Sequence, residues 1–168
     1  AHTVLYKPTP PPNEPTKTMW TLDLVVPHGS DTWKLLSELD ERNIREGVTK
    51  SLEWFGRSMD EDGVREVYTP ILRFNDKQNI WVARVKLNVG EKGATKVFEH
   101  ETGPLGENIK TPSTYDSIQR GSKCFCKLGS PGLWIMNRSF GMSLYAKSVL
   151  LFPWCEGGDG DDDDFEFL

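Results

Sequence analysis

Ile80-Trp81-Val82-Ala83-Arg84-Val85-Lys86-Leu87-Asn88-Val89 is the clearest structural signal in the chain. Side chains along a β-strand alternate between the two faces of a sheet. Trp81, Ala83, Val85 and Leu87 therefore share one face, and Ile80, Val82, Arg84 and Lys86 share the other. One face is wholly apolar and the other mixes apolar with basic groups, as expected of a half-buried strand. Immediately upstream, Tyr68 to Phe74 reads as a strand, joined to this one by a turn at Asn75-Asp76-Lys77-Gln78-Asn79.

The same period recurs on both sides. Trp20, Leu22, Leu24 and Val26 alternate with Thr21, Asp23 and Val25, until Pro27 and Gly29 stop the run. Downstream, Gly90 and Gly93 bound a loop and Ala94 to Glu99 forms a short strand. Gly103 to Arg120 is polar and reads as an irregular excursion. Three strands close the domain: Lys123 to Leu128, Leu133 to Asn137, and Phe140 to Phe152.

Between the first strand and the rest lies a helical block. Ser30 is placed as an N-cap, with Asp31 in the first turn. Glu38 with Arg42, Glu41 with Arg45 and Glu46 with Lys50 stand at the i,i+4 spacing with the acid first. Leu35, Leu36 and Leu39 fall on one side of an ideal helix, and Ile44, Val48, Leu52 and Phe55 on nearly the opposite side. Either two helices break near Asn43, or one helix passes between two apolar surfaces. Gly56 ends the block, and Met59 to Gly63 reads as an acidic turn. Short strands with a helical insertion and long loops predict a mainly β fold, a small barrel with one or two helices.

The ends differ from this middle. Residues 1–17, with Pro8, Pro10, Pro11, Pro12 and Pro15, read as a flexible proline-rich arm, and residues 18–155 as the domain. From Glu156 to Leu168 the chain holds seven acids and no base. The whole chain carries a net charge of −5, but without those seven acids 20 bases face 18 acids. A mildly basic body is tethered to its own polyanion. Asp161, Asp162, Asp163 and Asp164 repel one another and bury too little apolar surface to fold, so the tail is expected to be disordered. It nevertheless ends in Phe165, Phe167 and Leu168, which a mere solubilising segment does not need. The tail reads as a conditional ligand, for the adjoining domain or a second copy of it, consistent with a homodimer that exchanges tails.

Several classes of function find little support. No apolar stretch approaches the roughly 20 residues that span a bilayer, and no membrane association is expected. Ala1 to Glu14 has no apolar signal core, and three cysteines, Cys124, Cys126 and Cys155, do not make a disulfide framework. Both point to an intracellular, reducing setting. Cys124 and Cys126 stand too close together for a zinc knuckle, and His2, His28 and His100 are scattered. Neither a metal nor a cofactor is expected. No phosphate loop, nucleophile elbow or zinc-binding helix is present, and His100 between Glu99 and Glu101 reads as solvated surface, so an enzyme is disfavoured.

What the strands do carry is bases beside aromatics. Arg84 and Lys86 follow Trp81; Lys123, Phe125 and Lys127 alternate on one face; Arg138 follows Trp134; Tyr145 and Lys147 share the face opposite Met142, Leu144 and Ala146. Cations that track phosphates and rings that stack on bases are what single strands require. Candidate phosphate contacts are Arg73, Lys77, Arg84, Lys86, Lys123, Lys127, Arg138 and Lys147. Candidate stacking residues are Trp81, Phe125, Trp134 and Tyr145, while Trp20, Trp33 and Phe140 are assigned to the core. An acidic-tailed protein-interaction module, such as a chaperone or a virion structural protein, is the alternative.

Three segments carry a family resemblance: Gly121-Ser122-Lys123-Cys124-Phe125-Cys126-Lys127-Leu128, Gly132-Leu133-Trp134-Ile135-Met136, and Phe140-Gly141-Met142-Ser143-Leu144-Tyr145-Ala146-Lys147-Ser148-Val149. In order and character they resemble the single-stranded DNA-binding proteins of nucleocytoplasmic large DNA viruses, which are related to those of short-tailed coliphages. The resemblance implies an oligonucleotide-binding (OB) barrel and single-strand binding in replication, recombination or repair, at a host nuclear or cytoplasmic replication site. It also implies that the acidic tail recruits replication proteins through its terminal aromatic. This chain departs there, since Phe167 is penultimate and Leu168 is last.

Overall fold

The computed structural model describes residues 2–14 and 16–152. In chain order the elements are β1 (His2–Thr9), β2 (Met19–Val25), α1 (Asp31–Phe55), α2 (Glu61–Val67), β3 (Tyr68–Thr69), β4 (Leu72–Asn75), β5 (Ile80–Asn88), β6 (Lys96–Thr102), β7 (Asn108–Ser113), a 3-10 turn (Tyr115–Ser117), β8 (Lys123–Gly129), β9 (Leu133–Met136), β10 (Ser139–Met142) and β11 (Leu144–Leu151).

Five strands close on themselves. β1 pairs with β2, β2 with β5, β11 with β8 and β8 with β1, all antiparallel; a short parallel pairing of β5 with β11 completes the ring. Closure removes most free sheet edge. The second edge of β5 is shared, with Ile80 to Ala83 on β4 and Val85 and Lys86 on β11. The second edge of β11 is shared likewise: beyond β5 it takes parallel β6, which forms a hairpin with β7. Alternation sends Leu22, Leu24, Ala83, Val85, Leu87 and Val149 inward, where they are buried. Each fully buried Val or Leu contributes about 1.5–3 kcal/mol relative to exposure.

A second, smaller sheet is ordered β3-β10-β9. Its Phe140 is fully buried with Ile44, Val64 and Tyr68, and its ring lies 4.9 Å from Tyr68 and 5.6 Å from Phe55, centroid to centroid. Helix α1 passes between the two cores. Near its start Leu36, Trp33 and Leu39 pack on the barrel; further on Ile44, Val48, Trp54 and Phe55 pack on the second core. It is one helix, capped by the Ser30 hydroxyl, which accepts from the Trp33 N–H at 3.1 Å, and ended by Gly56 at φ 73°. Asn43 does not break it, because its amide is buried and donates to the Tyr68 hydroxyl at 3.1 Å.

Asp40 on α1 ties helix to sheet. Its carboxylate accepts from the Tyr68 hydroxyl at 2.6 Å and from the N–H groups of Ile71 at 2.8 Å and Leu72 at 3.1 Å. Burial pushes this carboxyl above the usual range, and the three hydrogen bonds oppose that shift. At the surface Arg65 of α2 bridges Glu41 and Glu61, both at 2.7 Å; such exposed pairs contribute little.

Several expectations are corrected. The proline-rich arm is not free: His2 to Thr9 is β1, a barrel strand, with Val4 and Leu5 buried. Its apolar run Val4-Leu5 outweighs the prolines, and Pro8 is accommodated within the register shift between Tyr6 and Thr9. The domain therefore starts well before residue 18. The expected strand Tyr68 to Phe74 is two short strands, interrupted at Pro70, which has no N–H to donate. The acidic turn begins α2, where the Asp60 carboxylate accepts from the Gly63 N–H at 2.8 Å. The polar excursion contains β7, an edge strand too exposed to show alternation. Leu35 and Leu52 are exposed rather than core, at 58% and 65%. Glu46 and Lys50 pair at 3.2 Å as expected, but Glu41 turns to Arg65. The acidic tail lies outside the described residues.

Replacing Asp40 with Ala leaves three buried donors without their acceptor, each such loss costing roughly 1–3 kcal/mol. Asp40→Ala should lower unfolding free energy by about 3 kcal/mol or more in urea titration. A loss below about 1 kcal/mol would show that the clamp is dispensable.

Candidate nucleic-acid interface

On the barrel's outer surface, cross-strand register gathers the polar side of the strands. Thr21 on β2 faces Lys86 on β5, which faces Tyr145 on β11. One step along, Asp23 faces Arg84, and Arg73 on β4 faces Val82. An open cleft of about 540 Å³ is bordered here by Tyr6, Asp23, Arg73, Phe74, Lys77 and Arg84. Arg84 donates from Nε to Asp23 Oδ1 at 2.8 Å and from an Nη to Oδ2 at 3.0 Å. That bidentate pair raises the guanidinium's pKa still further and offsets part of its positive field.

Beside the cleft, Lys86 Nζ sits 5.6 Å from the centre of the Tyr145 ring, a cation–π pair. Lys147 occupies a register shift in β11 and its stem crosses Gly129 of β8; a Cβ on that glycine would lie 2.5 Å from Lys147 Cε. Lys123, Phe125 and Lys127 project outward from β8, alternating with Cys124 and Cys126; Phe125 is 53% exposed.

The twelve candidate residues do not form one patch. Arg73, Lys77 and Arg84 border the cleft; Lys86, Tyr145, Lys147, Lys127, Phe125 and Lys123 lie on the β5, β11 and β8 wall. Trp134 and Arg138 belong to the β9–β10 hairpin of the second sheet. Trp134 packs on Gly141, where a Cβ would lie 2.8 Å from Cζ2. Arg138 borders a pocket of about 240 Å³ with Arg57, Phe55 and Met59. Trp81 is a correction to the stacking set. Its ring packs 5.7 Å from Trp33 and 5.3 Å from Phe74, against the barrel core, because it shares the alternation of Ala83, Val85 and Leu87. Of the three rings assigned to the core, Phe140 is fully buried and Trp33 half-buried against the barrel; Trp20 is half-buried on Tyr115. The tail residues Asp161 to Asp164, Phe165, Phe167 and Leu168, and also Cys155, lie outside the described residues.

The sequence reading missed Tyr6, Phe74 and Arg120. Tyr6 is 44% exposed on the cleft, with the Arg120 guanidinium 5.9 Å from its ring centre. Reading Thr3-Val4-Leu5-Tyr6 as a strand ahead of the prolines would have found it. Among the described residues no group of three or more His, Cys, Asp or Glu is disposed to hold a metal ion, and no helix is long and apolar enough to cross a membrane. Cys124 and Cys126 are free thiols with sulfurs 3.8 Å apart.

Strand order β1-β2-β5-β11-β8 closed on β1 is that of the OB-type barrel fold. By sequence, the chain belongs to the family described as "Family of unknown function (DUF5871)", whose model matches residues 21–150. No curated protein matches it. Among solved structures it is similar to gp2.5, a single-stranded DNA-binding protein encoded by bacteriophage T7, with a TM-score of 0.52 and 12% identity over 95% of this chain and 92% of that one. It is also similar to the C-terminally truncated single-stranded DNA-binding protein of bacteriophage Enc34, with a TM-score of 0.51 and 15% identity over 92% and 84%. The Enc34 protein in complex with single-stranded DNA matches with a TM-score of 0.50 and 12% identity over 90% and 83%.

Gly129 and Gly141, both close-packed, should respond differently to alanine. Gly129→Ala meets only the far end of a flexible lysine, so stability should change by less than about 1 kcal/mol while Lys147 is displaced. Gly141→Ala meets the Trp134 ring and, at 3.0 Å, the Thr69 carbonyl, so it should cost about 1–3 kcal/mol and shift tryptophan emission. Equal effects of the two in thermal melts would contradict this packing.

Proposed function

We propose that the protein binds single-stranded DNA without strong sequence preference, and acts by binding rather than by a catalytic step. The observation that carries this reading is the pairing of exposed cations with rings on an oligonucleotide-binding barrel, above all Lys86 over Tyr145 beside the cleft. In this fold the face of the second and third barrel strands and the loop between the fourth and fifth are the usual oligonucleotide surface. Here those strands are β2 and β5, and that loop is the β9–β10 hairpin carrying Trp134 and Arg138. Arg73, Lys77, Arg84, Lys86 and Arg138 contact phosphates. Tyr145, Trp134, Tyr6 and Phe74 offer rings to bases.

The role in the cell follows from the same reading. The protein protects single strands during replication, recombination or repair, as a member of the single-stranded DNA-binding proteins of large DNA viruses, at a nuclear or cytoplasmic replication site of the host. Its acidic tail, Glu156 to Leu168, recruits replication proteins and competes with DNA for the basic surface, in the same chain or across a homodimer.

Fluorescence anisotropy with labelled oligo(dT) tests this. Binding should weaken steeply as salt rises, because counterions are released from the single strand. Tyr145→Ala should lower affinity by about 5- to 150-fold, the range for one lost base stack. Asp23→Asn should tighten binding, since it removes an acid from the cleft and frees Arg84. Absence of any binding at low salt would sink the proposal.

A further inference from the structure

The outer face of β8, β11, β6 and β7 is unusual for a solvated wall, whose outward positions are normally polar. Register places Phe125, Leu150, Phe98 and Pro112 side by side in one outward row. The next row on one side holds Lys127, Ser148 and Lys96. The next row on the other side holds Lys123, Phe152, His100 and Lys110: the Phe152 N–H donates to the Lys123 carbonyl at 2.9 Å, and His100 faces Lys110. The Phe152 ring lies 5.1 Å from Phe125 and 5.4 Å from His100, so the rings form one continuous patch. The rows are two residues apart along each strand, or about 7 Å.

Charge on this wall is of one sign. Among the described residues its outward register positions carry no acid. Glu99 and Glu101 occupy the alternate positions of β6 and border a pocket of about 280 Å³ that His100 and Phe152 also line, so these acids lie at the edge of the wall and not among its outward register positions. The cleft differs, because there Asp23 holds Arg84. A row of rings between two rows of cations, without an acid among them, fits a strand that offers flat bases and a phosphate backbone.

We propose that this wall is a second track for single-stranded nucleic acid, distinct from the cleft and joined to it through Tyr145 and Lys147. The inference rests on the single-strand reading of the cleft and extends it. A short oligonucleotide occupies the cleft alone; a longer one continues across Tyr145 and Lys147 onto Phe125 and Phe98.

The test uses the full chain and labelled oligo(dT) of two lengths, roughly 8 and roughly 30 nucleotides, the first within one barrel's usual site size. The double variant Lys96→Glu/Lys110→Glu and the single variant Phe98→Ala should each leave affinity for the short oligonucleotide within about twofold. For the long one, affinity should fall at least about tenfold, and the length occluded per protein should shrink. Should the charge reversals unfold the protein, as judged by thermal melts, Lys96→Ala/Lys110→Ala replaces them with the same expectation. Wall variants that change neither length, while Tyr145→Ala still weakens the short one, would overturn the second track and leave the cleft standing. Equal loss at both lengths would also overturn it, since the wall would then be the primary site. Absence of binding by the unmodified chain would instead defeat the reading of the cleft.

Discussion

Two register pairs, Leu144 against Val85 and Tyr145 against Lys86, hold the barrel closed. Every other pairing in the ring is a longer antiparallel ladder or is reinforced by flanking loops. This parallel contact joins the third barrel strand to the last, residues 85 and 86 to residues 144 and 145. Leu144 and Val85 face inward and are buried, so closure seals the core. Tyr145 and Lys86 face outward, so the same contact sets a ring under a cation. Fold and candidate interface thus depend on one interaction: were the ring to open, the cation–π pair and the junction between cleft and wall would be lost together.

The helix side of the molecule is put to a different use. Helix α1 is buried at both ends of its length by different partners, and its polar groups Asp40 and Asn43 are spent on Tyr68, Ile71 and Leu72. Those groups hold β3 and β4 in place, and β4 carries Arg73 into the cleft. The second core, around Phe140, anchors the β9–β10 hairpin. The helices position the interface without contributing its charges, which come from strands and turns.

Much of this was legible in the sequence where burial is one-sided. The alternation of Ile80 to Val89 placed Arg84 and Lys86 opposite Ala83, Val85 and Leu87, and the structure has them so. Lys123, Phe125 and Lys127 were equally readable. The opposed stripes of α1 left two readings, a break near Asn43 or one helix between two apolar surfaces, and the structure has the second. Legibility failed where local composition and tertiary use diverge. Prolines masked β1, which is held by partners at the far end of the chain. β7 has no buried face, so it shows no period. Trp81 looked available because bases follow it, yet only packing on Trp33 and Phe74 decides which way a ring serves. The split of the candidates into cleft, wall and hairpin is a matter of register between distant strands, which no local pattern contains.

In the proposed function single strands lie on the outer barrel surface and not on the helices. Amide hydrogen exchange of the full chain with and without saturating oligo(dT) addresses it directly. Added protection is expected in β5, β11, the turn between β4 and β5, and the β9–β10 hairpin, with α1 and α2 unchanged. Protection centred on α1 and α2, with those strands unaffected, would contradict it.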